Sequence, residues 1–396
     1  MSTYSEFKGP MMETEIAVEP PGPGQPRGAV KPRVHLRYVD GFRGFAALYV
    51  VLNHAFLQTW PGNLYGAEFL PQGWVRVLTH WLDFGTSAVT FFIAISGFCL
   101  MLPVLGSQGT LGPGGARRFF YHRVRRILPP YYAALLLSIG LVATVIANHT
   151  HSLYDASLPM TKFGIFSHFA LIHNLQQTTI DQISAPLWSI AVESQIYLLF
   201  PLFVAVRLRF GMEAVLGGSF LLSVLLLSLV SGTSYKGLMP VYIFVFALGM
   251  YAAEIALGPQ RHLFIWIGAA AGLLMFFMFF LQPTWQRFAL SDVVVGVVSM
   301  SVLILCSHWP NNPMSLIASS KPIVRVGKFS YSLYLVHFPV QQVLWQHVVL
   351  PMKLGQTLTF GIMATAGTGV ILVFAYGFYV LFERPFTTVF IERRAS

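Results

Sequence analysis

Apolar runs of about twenty residues recur ten times along this chain, at 39–58, 84–105, 130–148, 186–206, 213–231, 238–257, 262–281, 288–307, 329–350 and 358–382. A helix needs roughly 20 residues to cross the hydrocarbon of a bilayer. In lipid, only a helix or a closed barrel satisfies its own backbone polar groups. The pattern therefore predicts an all-α polytopic membrane protein with about ten transmembrane helices. Composition agrees, with 10% of the 396 residues charged against roughly 25% in a soluble domain. One more stretch, FGIFSHFALIHNL at 163–175, is too short and polar to span and reads as an interfacial or re-entrant piece.

Residues 1–34 are rich in Pro, Gly and Glu and lack apolar periodicity, so a disordered cytoplasmic tail is expected there. No early apolar run marks a cleaved signal peptide. The transmembrane domain is expected over 35–388, followed by a short cytoplasmic tail, 389–396. With the N-terminus inside, nineteen of the 25 Lys and Arg fall in inside segments, five fall outside and Arg43 lies within the first helix. That asymmetry follows the positive-inside rule and supports ten spans with both termini cytoplasmic. The formal net charge of +10 then has a topological cause, and no nucleic-acid partner is expected. Cys99 and Cys306 sit in apolar runs without partners at metal-ligand spacing. They read as packing residues, and no metal site is expected.

Polar residues inside these helices need a reason. RGFAALYVVLNHAF places Arg43 and His54 eleven residues apart, on one helix face and about 16 Å apart along the axis. Arg43 could snorkel to headgroups while His54 caps the other interface. Against this, intramembrane ionisable groups usually face an interior path. Asp40, three residues earlier on nearly the same face, could neutralise Arg43. In PLWSIAVESQIYLLFP, Glu193 lies at the depth of His54, and a carboxylate that orients an imidazole is a general-base arrangement. A purely structural Glu193 stays open, and Trp188 and Ser189 flank the same turn. In FFIAISGFCL, Ser96-Gly97 reads as a close-packing site with Ser96 also a candidate pocket residue. RRFFYHRVRRILPPYY (117–132) is a cytoplasmic basic cluster, with Pro129 and Pro130 at the start of a helix. It is either a topology signal or, through Arg123, Arg126 and the helix N-terminus, a phosphate site. FSYSLYLVHFP sets Tyr331, Tyr334 and His337 on one stripe, either packing or pocket.

Together these segments resemble the integral-membrane acyltransferase type 3 family, whose members include O-antigen and peptidoglycan O-acetylases and macrolide O-acyltransferases. YVDGFRGFAALYVVLNH is similar to the family's first-helix Arg and His motif, and FFIAISGFCL to its FF-x-x-SG-F segment. RVRRILPPYY is similar to R-x-x-R-I-x-P-x-Y, and LWSIAVESQIYLLFP to LWSLSVEEQFYLLFP. FSYSLYLVHFP is similar to the late SYSLYLxH segment, and FERPF (382–386) to E-x-P. The matches run in order from about residue 36 to 388. Ser194 stands where the family usually has a second Glu, which puts any two-carboxylate role in doubt.

The resemblance implies ten core helices and acyl transfer from acyl-CoA, most commonly acetyl-CoA, to a hydroxyl. It makes His54 the catalytic residue and Arg43, Arg123 and Arg126 important. The chemistry is coherent with that. A neutral imidazole can take the hydroxyl proton near pH 7, or carry the acyl group transiently. With Arg123 and Arg126 on the cytoplasmic side they are assigned to CoA phosphates, and Arg43 to a phosphate or the thioester carbonyl. The deeper His54 would meet an acceptor from the outer side. Acyl-CoA is a cosubstrate, and no permanently bound cofactor is expected.

Relatives with cell-wall substrates often carry a further extracytoplasmic domain. This chain ends fourteen residues after its last apolar run and is expected to act without one. A carbohydrate or lipid-linked hydroxyl is the favoured acceptor, with a macrolide-type metabolite as the alternative. The expected place is the plasma membrane. A transporter or flippase with buried Arg, His and Glu lining a path competes, although no repeated half with matching broken helices is visible. A structural membrane partner is a further alternative, and it should tolerate His54→Ala.

Overall fold

The computed structural model describes residues 36–61, 67–146, 152–258, 262–281 and 289–387. The expected tails, 1–34 and 389–396, lie outside the described residues. Among those described, all regular structure is helical. Each of the ten apolar runs falls on a helix: α1 Arg37–Thr59, α2 Gly85–Gly106, α3 Gly115–Thr144, α4 Trp188–Phe210, α5 Met212–Val230, α6 Val241–Ala256, α7 His262–Leu281, α8 Ala289–His308 and α9 Ser330–Leu344, then α10 Gln356–Thr387. Six of them, α2, α3, α4, α5, α8 and α10, are long and apolar enough to cross a membrane. Helix α1 carries three charged residues, Arg37, Asp40 and Arg43, in its first two turns.

Two groups of helices meet along α1. On one side α2, α6, α8 and α7 pack in succession; on the other, α9 joins α3 and α10, while α1 touches both α2 and α9. Helix α6 is buried over most of its length. Its approach to α2 depends on two glycines: a Cβ on Gly97 would collide with the Phe246 carbonyl oxygen, and one on Gly249 with the carbonyl oxygen of Ala94. Backbones approach this closely only where small residues face each other. The close-packing reading of Ser96-Gly97 therefore applies to its glycine. An ion pair from Arg207 to Glu254, at 2.8 Å, ties the end of α4 to the end of α6.

The third helix departs from expectation. It starts at Gly115 instead of near residue 130, and Pro129 and Pro130 lie inside it. Proline supplies no N–H, so the carbonyls of Arg125 and Arg126 lose their helical donors while the helix carries on. Arg123 and Arg126 therefore stand on a continuous helix. The helix N-terminus lies about two turns before Arg123, so it cannot join them in a single phosphate site as the sequence reading supposed.

The stretch 163–175 forms a helix of 8 residues, Lys162–Phe169, capped by the Thr161 hydroxyl, followed by a single turn at His173–Leu175. It does not span. His168 and His173 stack here with ring centroids 3.8 Å apart and planes 10° apart, both fully buried. Burial pushes the His168 imidazole down to about 4, and burial plus the neighbouring ring pushes His173 well below the ordinary range. Both folded-state values lie below the ordinary unfolded value of about 6.5. The stack's contribution to stability is therefore present above about pH 6.5 and is lost progressively as pH falls toward the folded values. Hydrogen exchange across 162–175, corrected for intrinsic rates, is expected to be faster at pH 5 than at pH 7.5. Equal protection at both would show that the stack accepts charge without opening.

Candidate active site

A cavity of about 90 Å³ opens between α1, α2, α3, α4 and α9. Each helix places its side chains there by simple spacing. Helix α2 presents Ser96 and Cys99, three residues apart; α3 presents Arg123 and Arg126, also three apart; α4 presents Ser189, Glu193 and Tyr197 at steps of four. Such steps keep residues on one helix face. Arg43 enters from α1, and Tyr331 and Tyr334 from α9. Eight of the twelve residues singled out in the sequence thus share one wall. Asp40, in the first turn of α1, and Trp188, whose ring stacks on Tyr242 with centroids 6.1 Å apart, are not part of that wall. Neither are His54 and His337.

The wall is electropositive. Three guanidiniums face the single wall carboxylate, Glu193. Among the described residues none of the three makes an ion pair. Arg123 Nε is buried without a partner, and its guanidinium carbon lies 6.0 Å from the centre of the Tyr197 ring. Glu193 is engaged locally: the Tyr197 hydroxyl donates to its Oε1 at 2.5 Å, and Ser96 Oγ lies 2.6 Å from the same hydroxyl. A second carboxylate, Glu383, sits in a π turn near the end of α10. It accepts from Ser332 N at 3.1 Å and Ser332 Oγ at 2.5 Å. Ser332 is in the first turn of α9, so Glu383 caps one of that helix's free N–H groups. Both carboxylates are thus held by neutral donors, and the guanidiniums keep the capacity to bind an anion. Unpartnered buried donors of this kind are costly unless a ligand meets them.

His54 does not pair with Glu193 as the depth argument supposed. Its Nδ1 lies 2.9 Å from Nε2 of His337, and Nδ1 of His337 lies 2.7 Å from the Tyr334 carbonyl oxygen. The reason is geometric: α1 packs directly on α9, whereas Glu193 is drawn to the phenol one turn further along its own helix. The two imidazoles adjoin the cavity through Tyr334. That side chain is on the wall, its ring centroid is 5.7 Å from that of His337, and its hydroxyl meets Ser189 Oγ at 2.7 Å and the Pro186 carbonyl at 3.0 Å. Phe338 packs edge-on against the His54 ring, centroids 5.1 Å apart. Tyr331 reaches from α9 to the Ile127 carbonyl at 3.1 Å, which ties the tyrosine stripe to the arginine helix.

The sequence reading did not assign three of these residues. Tyr197 was recoverable, because a phenol four residues after an intramembrane carboxylate is its natural donor. Glu383 was visible in FERPF, yet nothing local showed it capping another helix. Cys99, expected as a packing residue, lines the cavity three residues after Ser96.

The family model for the acyltransferase domain, type 3, matches residues 36–380. The chain belongs to this family. Among curated relatives it is similar to a protein of Bacillus subtilis (strain 168) named as a peptidoglycan O-acetyltransferase, YrhL. The identity is 22% over 338 residues, covering 77% of this chain and 49% of that protein. It is likewise similar to O-acetyltransferase OatA of Staphylococcus aureus (strain NCTC 8325 / PS 47), 23% identical over 336 residues, covering 77% of this chain and 50% of OatA. The chain therefore spans about half the length of the curated relatives it matches. No solved structure matches it. The apolar helices and this kinship together make it a multi-pass integral membrane protein.

Proposed function

We propose that this chain is a membrane O-acyltransferase that moves an acyl group, acetyl in the first instance, from acyl-CoA to a hydroxyl of a carbohydrate or lipid-linked acceptor. The observation that carries the reading is the adjacency of two different chemistries: a cavity with three unpaired arginines, and a partly buried imidazole pair joined to it through Tyr334. Arginine forks suit the phosphates of CoA. An imidazole suits proton removal from an alcohol. The acetyltransferase names of YrhL and OatA support acetyl as the group, and the peptidoglycan in the name of YrhL supports a glycan as the acceptor. The proposal includes ten spans in the plasma membrane, both termini cytoplasmic, with Arg123 and Arg126 toward the cytoplasm and His54 deeper. Arg43 is assigned either to a CoA phosphate or to the thioester carbonyl.

The donor site has a built-in reporter. Cys99 lines the cavity, whereas Cys306 is fully buried elsewhere. Acetyl-CoA at about ten times its Kd leaves roughly a tenth of the sites free, so Cys99 alkylation by a small maleimide is expected to slow about tenfold, read by intact-protein and peptide mass spectrometry. An unchanged rate with acetyl-CoA demonstrably bound would place the donor outside this cavity.

A further inference from the structure

We propose that His337 is a positioning residue that fixes the tautomer of His54, leaving His54 Nε2 as the basic nitrogen; this rests on reading His54 as the base of acyl transfer. A carbonyl oxygen only accepts, so the 2.7 Å contact to Tyr334 O requires a proton on His337 Nδ1. A neutral imidazole carries one such proton, and His337 is fully buried. Its Nε2 is therefore a lone pair. That lone pair lies 2.9 Å from His54 Nδ1. Two lone pairs at that distance would repel, so His54 Nδ1 holds the proton and donates it. His54 Nε2 is left bare.

The ring geometry agrees. The centroids are 5.0 Å apart and the planes 27° apart. That separation is about the N···N distance plus the two centre-to-nitrogen distances, as in nearly coplanar rings joined edge to edge. Overlapping faces would lie closer, as His168 and His173 do at 3.8 Å. The partner of His54 is thus a neutral acceptor anchored to backbone. The two carboxylates in this region are occupied, Glu193 by Tyr197 and Glu383 by Ser332.

The resulting step balances. The acceptor hydroxyl passes its proton to His54 Nε2 as its oxygen bonds to the thioester carbonyl carbon. The C–S bond then breaks, and the departing CoA sulfur takes up the proton from His54. His337 keeps its Nδ1 proton throughout and makes no contact with the reacting atoms.

The test combines a spectroscopic and a kinetic readout. With 15N-histidine labelling in lipid nanodiscs and assignment by His54→Gln, the wild-type His54 is expected to show a protonated Nδ1 and a bare Nε2. A bare Nδ1 would overturn the inference whatever the activity. In His337→Leu the preference should disappear and kcat should fall about 10- to 100-fold, less than the roughly 10²–10⁴-fold of losing a general base outright, with KM for acetyl-CoA unchanged. His337→Gln, whose amide oxygen can accept from His54 Nδ1, should recover most of the rate. Full kcat in His337→Leu would overturn the positioning role. Full activity in His54→Ala would instead remove the reading beneath it, and the tautomer measurement would still decide the hydrogen-bond direction.

Discussion

His54→Ala is expected to lower acceptor-dependent acetyl transfer by about 10²–10⁴-fold, the usual contribution of a positioned general base. At neutral pH an alcohol is a poor nucleophile until its proton is removed, and among the described residues beside the cavity no other group matches an imidazole for that task. Glu193 is held by the Tyr197 phenol, and Glu383 is held across α9 by Ser332. Removing the ring also leaves His337 Nε2 buried without its partner, which costs about 1–3 kcal/mol. Thermal unfolding of the variant must therefore accompany the assay. A variant that still folds, still binds acetyl-CoA and has lost transfer locates the defect in chemistry. One that transfers at the wild-type rate would remove His54 from the mechanism and favour a role in packing α1 on α9.

The second large effect is expected from the arginines. Arg123→Gln and Arg126→Gln should each raise KM for acetyl-CoA about 10- to 100-fold, with kcat at saturating donor changed little. A charge-assisted hydrogen bond contributes about 1.5–3 kcal/mol, and each 1.4 kcal/mol is a factor of ten in affinity. Lysine replacements should recover part of the loss, since they keep the charge and lose the planar fork. Isothermal titration with acetyl-CoA and with dephospho-CoA separates phosphate recognition from the rest of the ligand. Equal affinity of the wild type and both variants would show that these guanidiniums serve topology and packing and that the cavity is not the donor site.

Much of this was legible in sequence because membrane helices are written in length and apolarity. Each of the ten apolar runs carries a helix, and the helical step in FSYSLYLVHFP put Tyr331 and Tyr334 on one stripe, where both line the cavity while His337 of the same stripe does not. Two things were not legible. Pro129-Pro130 looked like a helix start, because local rules cannot show that neighbouring helices hold a proline-interrupted helix together. Depth alone paired His54 with Glu193, since position along a helix says nothing about which neighbour lies across the gap. The packing of α1 on α9 decides that, and it brings His337 to His54 from 283 residues away in sequence. Glu383 teaches the same lesson: its cap on α9 spans 51 residues, beyond the reach of any local pattern.

The most direct test of the account is a time course of purified wild-type protein in lipid nanodiscs with acetyl-CoA and a panel of glycan oligosaccharides, counting released CoA and acetylated product in the same samples. The account predicts acceptor-dependent CoA release matched one for one by a new O-acetyl ester. Failure of acetyl-CoA and of longer acyl-CoA thioesters to bind or release CoA with any acceptor would contradict it, and would leave the arginine cavity as a path for some other anion.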